Sequence, residues 1–285
     1  MKVNKYGLSR HIPASVRRKV RKNSGFACVV CGSAICQYDH VDPEWTEAKT
    51  HNPKNITLLC GTCHDKKTRK ILCVSTVKEA MKNPKSLESG LIKEYFDFGK
   101  TIPTIVFGRQ RFTNTLNLIT IDNNRLIYIE KRIENGLNRY FLNAKFFNTS
   151  DELLFEIEDN VWYAPTNVGD LEITGNRLII KEDDDKIGLE LQNIPDKEFI
   201  IKSLNMFYKG YKLNSDQMQF SISTPSGKQV IAFSKDVEAS AHTAINIKKE
   251  NLILRNVSFH KGEIDMRNSG AEFCYFGKET TVIMG

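Results

Sequence analysis

The chain has 285 residues, 41 Lys/Arg against 34 Asp/Glu, and seven cysteines. That length can bury a sizeable core and suits about two domains. No apolar run reaches the ~20 residues of a membrane span, and the first residues, MKVNKYGLSRHIP, lack the apolar stretch of a signal peptide, so a cytoplasmic protein with no membrane partner is expected.

Charge is spread unevenly. Residues 1–70 hold 14 Lys/Arg and 5 Asp/Glu, a net +9, while the remainder holds 27 and 29, a net −2. Residues 1–12 read as a polar, flexible arm. A helix is expected from Pro13, proline being tolerated in a first turn. The run ValArgArgLysValArgLys (16–22) puts five cations on that helix. Val16 and Val20, four apart, suit packing. Arg17, Arg18, Arg21 and Lys22 are then candidate contacts for a phosphate backbone. Asn23-Ser24-Gly25 ends the helix, with Gly25 suited to a left-handed position.

Cysteine spacing dominates the next stretch, CVVCGSAICQYDHVDPEWTEAKTHNPKNITLLCGTCH. Cys28/Cys31 and Cys60/Cys63 form two Cys-x-x-Cys pairs separated by 28 residues, Gly32 to Leu59. Four thiolates in this pattern fit a tetrahedral structural zinc, with no position left open for chemistry. Cys36, Cys73 and Cys274 remain, and an odd count with this spacing favours a reducing compartment over a disulfide framework. Cys36 to Val41 alternates like a short strand. Asp39 and His40 then face opposite ways unless a twist or bulge re-aims them. Residues 42–54 read as a polar loop, Asn55–Leu59 as a second strand, and Gly61–Lys70 as a helix carrying Cys63 and His64 in its first turn.

In order, the stretch holds Cys28, Cys31, Asp39, His40, Asn55, Cys60, Cys63 and His64, then Lys66, Lys67, Arg69 and Lys70. It resembles the zinc-containing HNH endonucleases, over about residues 13–70. The resemblance implies a ββα-metal fold, a DNA substrate and a single-metal mechanism leaving 5′-phosphate and 3′-hydroxyl ends. The residue chemistry agrees. A histidine with a pKa near ~6.5 can take a proton from water at neutral pH, which makes His40 the candidate general base. Asp39 and His64 offer one oxygen and one nitrogen to a catalytic divalent ion, Mg²⁺ or Mn²⁺, with Ni²⁺ or Zn²⁺ also suited to a mixed site. Asn55 cannot be a base, but its amide can brace the strand carrying His40. Lys66 and Lys67 extend the phosphate-contact set. His51 is a further possible ligand or substrate contact, and His11 is unassigned.

Val77, Ala80 and Met81 fit one helix face, Asn83-Pro84 breaks it, and Leu87, Leu91, Ile92 and Tyr95 fit a second helix. Beyond Gly99 the character changes. Segments 115–120, 125–130, 153–158, 170–174 and 177–181 are short and β-branched, punctuated by Asn, Asp and Gly, and read as an all-β sandwich, barrel or β-helix. Gly175-Asn176 suits a hairpin turn. Trp162-Tyr163 reads as core, His242 and His260 as isolated, and Asp183-Asp184-Asp185 as a solvated turn.

The fold expected is α+β: a nuclease domain over 1–75, a helical connector over 76–100, and a β-rich targeting, sensing or oligomerisation domain over 101–285, open to a homo-oligomer or regulatory partner. The function expected is a metal-dependent DNA endonuclease, in anti-phage defence or restriction by analogy of fold. The alternatives are a non-catalytic zinc-stabilised module that binds nucleic acid, and a nuclease directed at RNA.

Overall fold

The computed structural model of the protein describes residues 3–183, 186–249, 251–254, 257–266, 270–271 and 275–284. Asp184, Asp185 and Cys274 lie outside the described residues. The chain divides into two compact units, Met1–Glu94 with Tyr163–Ile173, and Tyr95–Trp162 with Thr174–Gly285.

The first unit begins with α1 (Ala14–Asn23), entered through Pro13 at φ −55°. Val20 is fully buried and packs with Ile12, Ile56 and Leu58, with Val16 against them. So short a helix gains most of its stability from this apolar stripe rather than from propensity. At its end Gly25 takes φ +61°, and a Cβ there would collide with Ser86 Oγ and Leu87 Cγ, so both conformation and space require glycine. The strands β1 (Cys36–His40) and β2 (Ile56–Cys60) pair antiparallel, with Cys36 opposite Cys60 and His40 opposite Ile56. Helix α2 (Gly61–Thr68) follows without a linker, completing a ββα unit. Helix α3 (Val74–Lys82) buries Val77 in a small core with Cys28, Val29, Val41, Leu59, Cys60 and Cys63.

The second helix expected through Tyr95 does not form as such. Helix α4 (Lys85–Ser89) is five residues long and stops at Gly90, which is left-handed at φ +71°. Leu91–Tyr95 is instead a strand, β3, in which Ile92 is buried between exposed neighbours. Once Gly90 has broken the helix, LIKEY satisfies the period of a strand with one buried position.

The second unit is β-rich, and among the described residues its sheets are not closed. In one sheet the strands Thr243–Lys248, Asn117–Ile121, Asn124–Glu134, Leu137–Phe147, Leu153–Glu158 and Val161–Pro165 lie in that order. In the other, Arg177–Lys181, Ile187–Ile194, Glu198–Tyr208, Tyr211–Ser215, Gln219–Ser223 and Gln229–Ala241 follow one another as antiparallel neighbours. A second hairpin, Thr104–Phe107 with Gln110–Thr113, lies parallel to Glu198–Tyr208 on one side and to Gln229–Ala241 on the other. Two hairpins placed end to end thus fill the gap between the two long strands. Hairpin succession over residues 177–241 is not that of a β-helix, whereas toward the end Asn251–Leu254 pairs parallel with Gly270–Ala271 in the first sheet and Val257–Met266 parallel with Tyr275–Met284 in the second, alternating between the sheets as coils do; neither sheet closes into a barrel among the described residues. Aromatic side chains join the sheets: Phe147 meets Tyr208 at 4.9 Å, and Phe96 touches both Trp162 and Phe199, at 6.1 and 5.6 Å between ring centroids. Two sheets packed through these rings are the arrangement of a sandwich, one of the three expectations. Trp162 is core, as read, stacked on Phe155. His242 and His260 are exposed. His260 lies 3.1 Å from the Ser240 hydroxyl, and among the described residues no metal-binding group of His, Cys, Asp or Glu forms around either.

Candidate active site

The cysteines converge because each pair sits at a forced turn. After Cys28 the chain doubles back, the Gly32 N–H donating to the Cys28 carbonyl and the Cys28 N–H to the Ser33 carbonyl, both at 2.8 Å. At the other end Cys60 closes β2 and caps α2, its Sγ accepting the Cys63 N–H at 3.4 Å. The four sulfurs of Cys28, Cys31, Cys60 and Cys63 all lie within 4.8 Å of one another, and Cys31 and Cys60 are 3.6 Å apart. Tetrahedral thiolates at ~2.3 Å from a zinc ion stand ~3.8 Å apart, so the cluster has the size of such a site. Electrostatics points the same way. A hydrogen bond from Cys36, helped by backbone N–H groups and opposed by burial, pulls the Cys28 thiol down to about 4. Burial, and then the neighbouring sulfurs, push Cys31 up to about 11 and Cys63 higher still. Four thiolates cannot coexist here without a cation to offset their mutual repulsion. Cys36, left unassigned by spacing, is a fifth sulfur beside the cluster, facing Cys60 across the strand pair.

Asp39 and His40 leave the strand on opposite sides, yet both are buried and both line one cavity of about 470 Å³. No register shift interrupts β1 and β2. The cavity wraps the end of β1, where Asp39 meets α2 and His40 meets the loop of residues 42–54. His64 and Lys67, three apart on α2, share the face toward Asp39. Asp39 Oδ1 lies 3.3 Å from His64 Nε2, and Asp39 Oδ2 lies 2.8 Å from Lys67 Nζ. Neighbouring ligands bonded at ~2.1 Å to one divalent ion stand ~3.0–3.4 Å apart, so the Asp39–His64 pair fits such an ion. Lys67 does not serve as an open phosphate contact. Its side chain is 7% exposed, held by Asp39 and donating to the His40 carbonyl at 3.3 Å.

His51 is brought against His40, with His40 Nε2 3.1 Å from His51 Nδ1. The His51 Nε2 is buried without a hydrogen-bond partner among the described residues. Burial first, then His51 and Lys67, lower the His40 pKa below its ordinary 6.5, against an opposing pull from Asp39. Asn55 is placed elsewhere. Its backbone carbonyl accepts the Val41 N–H at 2.9 Å, so it braces the end of β1 through the main chain, and the residue borders a separate cavity of about 500 Å³ with Asp42 and Lys78.

The basic helix is largely committed within the first unit. Arg21, 7% exposed, grips the buried Asp170 with Nε and Nη2, the Nε bond being 2.9 Å, and donates to the Tyr38 hydroxyl at 2.8 Å. Arg18 donates to the Gly169 carbonyl at 3.3 Å, and Arg17 lies 3.8 Å from Glu172. Arg21 is therefore no phosphate contact, and Arg17 and Arg18 share their charge with this acidic segment. Lys22 and Lys66 are exposed and form no ion pair among the described residues. Removing one partner of a buried ion pair costs about 3–5 kcal/mol, because the other charge is stranded. Arg21→Ala is accordingly expected to lower the stability of the first unit by about that amount, and its urea midpoint with it, and Asp170→Asn by less. A midpoint for Arg21→Ala equal to wild type in a urea titration would refute the tie.

The amino-terminal residues are not the free arm expected. The Asn4 side chain donates to the carbonyls of Trp45 and Ala48 at 2.6 and 2.7 Å, and Trp45 Nε1 to the Ser9 carbonyl at 3.3 Å. Arg10 lies over the Trp45 ring, its Cζ 4.5 Å from the centroid, and both residues line the cavity of Asp39, His40 and His64. An arginine and a tryptophan 35 positions apart carry no sequence signal of such a pair.

Among the described residues no helix is long and apolar enough to cross a membrane. No curated protein and no solved structure matches the chain. Residues 28–70, which hold both Cys-x-x-Cys pairs, Asp39, His40 and His64, match the family model for the HNH endonucleases. The amino-terminal region of this chain therefore carries an HNH endonuclease domain.

Proposed function

We propose that the protein is a metal-dependent endonuclease that hydrolyses phosphodiester bonds in DNA, with Cys28, Cys31, Cys60 and Cys63 holding a structural zinc. The observation that carries this reading is the cavity in which the Asp39–His64 pair, spaced for one divalent ion, borders a buried histidine. Asp39 and His64 would hold Mg²⁺ or Mn²⁺. Such an ion, when bound, supplies Lewis-acid stabilisation of charge on the phosphate and on the departing 3′ oxygen. His40 takes the proton of the attacking water. Its Nε2 is engaged with His51, so Nδ1 is the nitrogen left to accept that proton. His51 accepts the Nε2–H through its own Nδ1, holding the ring in that tautomer and orientation. Lys67 neutralises Asp39, which would otherwise be a buried unpaired carboxylate.

Nicking of a supercoiled plasmid by the full chain tests this, with Mg²⁺ or Mn²⁺ added and with the divalent ion left out. Metal-dependent conversion to open circles supports the reading. Binding without cleavage under every metal supports instead a non-catalytic zinc module, and cleavage of an RNA but not of the plasmid moves the substrate to RNA. His51 has its own signature. Groups that orient a reacting ligand from behind cost about 10–100-fold when removed. His51→Ala is expected to lower kcat by that factor with KM little changed, and His51→Asn, which can still accept at the same place, to recover part of it. A loss confined to KM would contradict the positioning role.

A further inference from the structure

We propose that Arg10, lying over Trp45, is a clamp for a backbone phosphate of the nucleic acid, beside the phosphate that is cut. The inference rests on the nuclease reading of the same cavity and extends it to how the strand is held.

The first observation concerns which cations are available. Arg21 is consumed by Asp170, Arg17 and Arg18 lie against the acidic segment, and Lys67 is held by Asp39. Of the basic side chains lining the cavity, Arg10 and Lys70 have no carboxylate or carbonyl partner among the described residues. Glu44 also lines the cavity but forms no ion pair with Arg10. A cation exposed beside a site for anionic substrate, with its charge uncompensated, is suited to phosphate.

The second observation concerns geometry. A guanidinium over an indole ring needs no N–H donor for that contact, so the planar edge of Arg10, which makes no hydrogen bond among the described residues, stays available. That edge matches two oxygens of one phosphate in a bidentate pair. The ring contact also removes much of the rotamer freedom an arginine otherwise loses on binding. The platform is itself fixed, since Trp45 donates to Ser9 and the Asn4 side chain ties the carbonyls of Trp45 and Ala48 to the amino-terminal segment. Covered by Arg10, this face of Trp45 is not open for a base, so the contact reads charge rather than sequence.

The test uses the full chain and a short fluorescent DNA duplex, with binding measured over a range of NaCl concentrations and no catalytic divalent ion, so that the DNA stays intact. Each phosphate neutralised contributes about 0.9 to the slope of log K against log salt on duplex DNA. Arg10→Ala is expected to reduce that slope by about one phosphate, with an unchanged melting temperature. Arg10→Lys is expected to retain the slope with weaker affinity, because the bidentate fork is lost. Trp45→Ala is expected to weaken binding while the slope stays. An Arg10→Ala protein with the wild-type slope and affinity overturns the proposal, as does one whose only defect is a lower melting temperature, since the pair is then merely structural. A wild type that binds no DNA overturns it as well. Plasmid nicking run in parallel separates the two readings. If wild type binds without cutting and Arg10→Ala loses slope, the clamp stands and the nuclease reading falls. If wild type cuts and Arg10→Ala binds like wild type, the reverse holds.

Discussion

Replacing Cys60 with serine is expected to unfold the first unit outright rather than slow its chemistry. Cys60 holds three structural positions at once. It closes β2, it caps α2 by accepting the Cys63 N–H, and it belongs to the small core of Cys28, Val29, Val41, Leu59, Cys63 and Val77. That core is too small to stabilise the ββα unit by burial alone. A structural zinc contributes about 10–16 kcal/mol of apparent binding free energy in small domains. Whole domains are stable by only about 5–15 kcal/mol. A zinc site lost with one of its four thiolates therefore removes an amount comparable to the unit's whole stability. The measurement is zinc content per chain together with thermal unfolding. Wild type should carry one zinc, Cys60→Ser none, and its first unit should lose its cooperative transition while the strand signal of the second unit remains. The control is Cys73→Ser, since Cys73 is exposed and outside the cluster. A Cys60→Ser protein that melts like wild type and contains no zinc would show that the metal is not what holds this fold.

His40→Ala carries the largest effect expected on activity. Removing a general base costs typically 10²–10⁴-fold, and here the substitution also takes the partner of His51. Cleavage is expected to fall by at least about 10²-fold while zinc content and DNA binding stay at wild-type levels. The pH profile supplies a second readout. As a base, His40 must be unprotonated, so activity is lost as pH falls through its pKa. Burial and the neighbouring His51 and Lys67 lower that pKa below 6.5, so the acid limb of kcat/KM is expected to have its midpoint below 6.5, and cleavage to persist at pH values where an ordinary histidine is already charged. An acid limb centred above 6.5, or a His40→Ala protein that cuts at the wild-type rate, would remove His40 from the role.

Much of the metal chemistry was open to reading in the linear chain. Thiolates, a carboxylate and imidazoles are the few side chains that bind such ions, and Cys28/Cys31 and Cys60/Cys63 repeat a spacing that a turn converts into a shared centre. The ββα order, the strands at 153–158, 170–174 and 177–181, and the packing of Val16 and Val20 were likewise legible, since local period and turn residues decide them. Residues 91–95 were not, because LIKEY suits a helix as well as a strand until Gly90 is seen in the left-handed region.

What the linear chain could not reveal is which groups remain free to act. Counting cations on α1 describes charge but not its use, and Arg21 meets Asp170 across 149 positions. Asp39 and His40 face apart on a strand, yet the cavity wraps the strand end and takes both. His51 and the Arg10–Trp45 pair acquire meaning only from neighbours that the fold brings to one wall. Sequence by itself determined which atoms can hold a metal, because ligand type is a property of single residues. Tertiary structure alone decided which charges are spent and which face the cavity, because desolvation and pairing depend on contacts between residues remote along the chain.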